Sequence, residues 1–83
     1  MSTKEIIKKL EFILGTKNGV AAKRVEDIEV LLAELGNKKI KFQAKLEGAT
    51  TSKDIAKAER KLAVCNAQID KGRAAIKELL GEN

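Results

Sequence analysis

The chain has 83 residues, a net charge of +5, 43% hydrophobic residues and two aromatic ones, Phe12 and Phe42. That length holds one small domain, and a core of Leu, Ile, Val and Ala without proline suits packed helices and excludes a β-sandwich or a proline-rich tail. With no histidine, tyrosine or tryptophan and one cysteine, the commonest general base and the usual metal-ligand sets are missing. No catalytic, metal-binding or cofactor-binding residue is assigned, and the chain is expected not to be an enzyme.

The first predicted element is a short amphipathic helix over residues 3–14. Ser2 and Glu5 have the spacing of a capping box, and Ile6, Ile7, Leu10, Ile13 and Leu14 share a face. Gly15 is expected to stop the helix in the left-handed conformation that glycine adopts cheaply. Lys8, Lys9 and Glu11 interrupt the apolar run, which is not the pattern of a signal peptide. Lys4, Lys8 and Lys9 flank the apolar face as in interfacial helices. A core-packing helix shows the same pattern more often, so a membrane partner is not expected.

Residues 15–19, Gly-Thr-Lys-Asn-Gly, follow as a loop. They lack the Gly-Lys-Ser/Thr ending and the preceding strand of a phosphate-binding loop. From Val20 to Glu47 a second helix is predicted, with Ala21, Val25, Ile28, Leu32, Leu35, Lys39, Phe42 and Leu46 along one seam. Gly36-Asn37 is a helix-stop signal, costing about 1 kcal/mol in a helix interior. A break there would make residues 37–47 a separate helix, but the seam crosses it in phase, so one continuous helix, straight or bent at Gly36, is expected. Lys39 on the seam can lay its aliphatic stem on apolar neighbours while its ammonium reaches water.

After a loop at 48–52, Thr51 and Asp54 open a third helix over residues 53–80. Its seam runs through Ile55, Ala58, Leu62, Cys65, Ile69, Gly72, Ile76 and Leu79, with a and d positions filled over four heptads. Cys65 on that seam is expected to act as a small buried hydrophobe in a reducing compartment. No stretch approaches the ~18 apolar residues of a membrane span, and a cytoplasmic location is expected.

Two long helices joined by a short loop predict an antiparallel hairpin. Large side chains would face small ones at Phe42/Ala58, Leu35/Cys65, Ile28/Gly72 and Ala21/Leu79, as close packing requires. Asp27 and Glu29 would face Arg73 and Lys71. The fold class is therefore all-α: a long coiled-coil-like hairpin with the short helix packed at its open end. There Ile6, Leu10 and Ile13 would cover Leu31, Ala75 and Leu80, leaving a bare two-helix arm toward the tip.

Charge carries the functional signal. Residues 36–61 hold Lys38, Lys39, Lys41, Lys45, Lys53, Lys57, Arg60 and Lys61 against Glu47, Asp54 and Glu59, so this half of the hairpin carries the whole excess. Such a basic tip steers toward an acidic protein face or a polyanion. The acidic patch of Glu26, Asp27, Glu29 and Glu34 suits ion pairing better than a metal site. The expected function is a non-catalytic interaction module: a small accessory, adaptor or inhibitor protein. Its partner would be a larger protein or another copy of itself. Lys38, Lys41, Lys45, Lys53, Lys57, Arg60 and Lys61 would make the contact with exposed Val30, Ile40 and Val64. The alternative is nucleic-acid backbone binding by the same basic tip, weakened by the lack of Tyr and Trp for base stacking.

Overall fold

A computed structural model describes residues 2–15 and 21–81. Three helices follow in order: α1 (Thr3–Gly15), α2 (Ala21–Gly48) and α3 (Ser52–Leu79). The predicted restart at Val20 and the loop beyond Gly15 lie outside the described residues. Helices α2 and α3 each have 28 residues, hence about 42 Å of length at ~1.5 Å per residue. They pack along each other as a hairpin, within a longest dimension of 47 Å. The radius of gyration, 14.4 Å, exceeds the roughly 12 Å of a compact chain this size.

Local chemistry fixes the helix starts. At α1 the Glu5 N–H donates to Ser2 Oγ at 3.2 Å, and the Ser2 hydroxyl donates to the Glu5 carboxylate at 3.3 Å. At α3 the Asp54 N–H donates to Thr51 Oγ1 at 3.1 Å, with Thr51 extended at φ −105° and ψ 150°. Two backbone expectations change. Gly15 is the last residue of α1 and does not take positive φ; among the described residues the left-handed glycine is Gly81, φ 73°, just beyond α3. There the Leu80 N–H donates to the Ile76 carbonyl and the Gly81 N–H to that of Glu78. Helix α2 runs unbroken through Gly36 and Asn37, because the apolar seam on both sides stays in one phase.

The core forms where the three helices meet. Ile28, Leu35 and Cys65 are fully buried between α2 and α3, and Ile6 and Leu10 of α1 join the same cluster. Phe42 and Ala58 are both buried and border one depression near the tip. At Gly72 a small residue meets a large one: a Cβ built there would lie 2.5 Å from Leu32 Cδ2, and its three nearest atoms all belong to Leu32. In knobs-into-holes packing each side chain sits in a hole between facing residues, and Gly72 leaves room for Leu32. Ala21 is exposed and closes no core level.

Helix α1 lies antiparallel on α2. Its C-terminal end reaches Arg24, whose Nη2 donates to the Ile13 carbonyl at 3.3 Å. Its first turn reaches Lys41 and Lys45, which line one groove with Ser2 and Lys4. The predicted partners Leu31 and Ala75 pack in or against the core, whereas Leu80 is 56% exposed because it falls in the turn after α3 ends. The bare arm is correspondingly shorter than expected: α1 covers the hairpin from its open end up to the level of Phe42.

Candidate functional site

Each helix contributes one wall to a groove of about 740 Å³. Helix α1 supplies Lys4, Ile7, Lys8 and Glu11; α2 supplies Lys38, Lys41, Phe42 and Lys45; α3 supplies Arg60, Lys61 and Val64. Seven cations thus surround one carboxylate, Glu11. Ile7, Phe42 and Val64 give the groove an apolar component. Phe42 is only 6% exposed, and Lys61 Nζ stands 5.3 Å from its ring centre. That cation–π contact contributes about 0.5–1 kcal/mol at an exposed site and keeps Lys61 beside the groove. The first turn of α1 adds its N–H dipoles to the same side.

Of the predicted tip residues, Lys38, Lys41, Lys45, Arg60, Lys61 and Val64 come together here. Lys57 lines a separate depression nearer the bend, with Asp54, Lys45 and Lys61, and Lys53 lines neither. Val30 belongs to a different groove, between α1 and α2, with Phe12. Ile40 is exposed and lines none of these. The cations therefore meet along the flank of the hairpin rather than at its bend, because α1 brings its first two turns up beside them.

Sequence reasoning missed Lys4, Ile7, Lys8 and Glu11 as neighbours of the tip cations. A signal was available. Thirteen residues of helix are about 20 Å long, so an antiparallel α1 reaches at least the middle of α2, within side-chain reach of Lys38 and Lys41.

Other titratable groups sit outside this groove. Asp27 pairs with Lys23 on its own helix at 3.2 Å rather than with Arg73 across the hairpin, since Asp27 turns toward the α1 side. The Asp27 hydrogen bond and charge, with Glu26 nearby, raise the Lys23 pKa. Burial pushes the Cys65 thiol up, with Lys39 opposing more weakly. Among the described residues no three His, Cys, Asp or Glu side chains are grouped so as to hold a metal ion. No helix among them is long and apolar enough to cross a membrane. The apolar face of α1 is occupied, with Ile6 and Leu10 buried in the core.

Comparison with models of protein families, with curated proteins and with solved structures finds no match.

Proposed function

We propose that this chain is a non-catalytic interaction module, a cytoplasmic accessory, adaptor or inhibitor protein that receives an acidic, partly apolar segment of a larger protein. The observation carrying this reading is the groove in which seven cations border the accessible Ile7 and Val64, with Phe42 buried beneath them. Cations accelerate encounter with an acidic partner and set its orientation, while apolar contacts at the centre hold it. A phosphate backbone uses the cations but has little use for the apolar part. Phe42, buried and covered by Lys61, offers no face for base stacking, which favours protein over nucleic acid.

The test is a titration of the isotopically labelled protein with a synthetic amphipathic peptide rich in Asp, Glu and Leu. A lysine-substituted version, an RNA hairpin and a DNA duplex form the other arms. The acidic peptide should shift the resonances of Ile7, Phe42 and Val64, and the combined variant K38E/K41E/R60E/K61E should abolish those shifts. Tighter binding of RNA or DNA than of the peptide at about 150 mM salt, where phosphate contacts are already weakened, would move the assignment to nucleic acid. Binding of no arm would remove the groove as a recognition site.

A further inference from the structure

A second groove, of about 480 Å³, runs between α1 and α2. Phe12 and Val30 border it, 72% and 55% exposed. Its charges are sorted by wall: Lys8 and Lys9 stand on α1, Asp27 and Glu34 on α2. We propose that this groove docks a second copy of the chain, forming a two-fold dimer whose axis lies along the groove.

The symmetry follows from the sorting. A two-fold along the groove sets the α1 wall of each copy on the α2 wall of the other, cations facing carboxylates. A two-fold across the groove would set α1 on α1, placing lysines against lysines. The antiparallel run of α1 on α2 puts Lys9 near the level of Glu34 and Phe12 near that of Val30. The dimer therefore joins Lys9 to Glu34 of the second copy and Phe12 to Val30 of the second copy, each contact occurring twice, as an isologous interface requires.

One further observation selects a second copy as the occupant. The cationic groove repels its own kind, whereas this one carries lysines on one wall and carboxylates on the other and so complements itself. Lys8 borders both grooves, but Lys9, Phe12, Val30 and Glu34 lie outside the cationic one, so substitutions at these four test the dimer without altering the cationic lining.

Sedimentation equilibrium tests it over protein concentrations from about 1 μM to about 1 mM, the range that brackets weak dimers. The unmodified chain should show a monomer–dimer equilibrium, and Phe12→Ser should remain monomeric with helical circular dichroism retained. Lys9→Glu and Glu34→Lys should each weaken the dimer more than about tenfold, as like charges come to face each other. Mixed in equal amounts, those two variants should recover a dimer, because every wall in the mixed pair again meets its opposite. A monomer throughout the range, a dimer indifferent to Phe12→Ser, or a mixture that stays monomeric would each overturn the proposal.

Discussion

Gly72 of α3 lies against the Leu32 side chain of α2 so closely that an added Cβ would stand 2.5 Å from Cδ2, 3.1 Å from Cγ and 3.2 Å from Cδ1. Glycine in a helix interior costs about 1 kcal/mol relative to alanine, and here it allows the two long helices to approach. Gly72→Ala recovers propensity but forces the half-buried Leu32 outward, so its net effect should stay within about 1 kcal/mol. Gly72→Leu should destabilise by about 1–3 kcal/mol through overpacking. Urea midpoints at constant m-value separate the two; equal midpoints for the unmodified chain and Gly72→Leu would place the helices farther apart.

Gly36 presents the opposite case. It is interior to α2, and an added Cβ would meet nothing within 4 Å. Gly36→Ala should therefore stabilise by about 0.5–1 kcal/mol. A rise in Tm checks it, and a fall would show that α2 needs glycine there to bend.

Leu10 anchors α1, being fully buried in the common core. Leu10→Ala should cost about 2–5 kcal/mol, and hydrogen exchange should report the loss first in α1. Because α1 forms one wall of the cationic groove, anion binding should weaken in the same variant. Uniform loss of protection across all three helices would show that α1 does not open separately.

Cys65 is buried on the seam and its thiol pKa is raised by that burial. The unfolded chain gives up this proton at lower pH than the folded one. Stability from this group is thus complete below the ordinary thiol pKa and falls as pH rises through and above it. Alkylation by iodoacetamide at pH 8 should follow global unfolding, accelerating with urea; rapid modification without denaturant would contradict the packing of Cys65 between α2 and α3.

How much of this was legible depends on what each residue had to reveal. The hairpin was, because Leu35, Lys39 and Phe42 carry one apolar phase across Gly36 and the five residues after Glu47 allow only a sharp return. The close contact of Gly72 with Leu32 was not. A heptad seam repeats every three or four residues, so placing Ile28 or Leu32 nearest Gly72 satisfies the same pattern. Only interdigitated side chains decide which comes closest. Asp27 illustrates a second limit: an exposed carboxylate can pair within its helix or across the hairpin, and these differ by a few tenths of a kcal/mol. Ionic partners of that kind do not follow from spacing. The cations were recognisable as a cluster, but Lys4 and Lys8 join it only through the length and direction of α1.

The most direct measurement of the central claim is photo-crosslinking from within the cationic groove. A benzoylphenylalanine at Val64, in the groove, is compared with one at Ala67, an exposed position on α3 outside it. The crosslinked species formed in cells is then sequenced. The account predicts a protein segment rich in Asp and Glu, captured from position 64 but not 67, and lost when Lys38, Lys41, Arg60 and Lys61 are reversed to Glu. Capture of RNA or DNA at position 64, or equal yields from both positions, would contradict it.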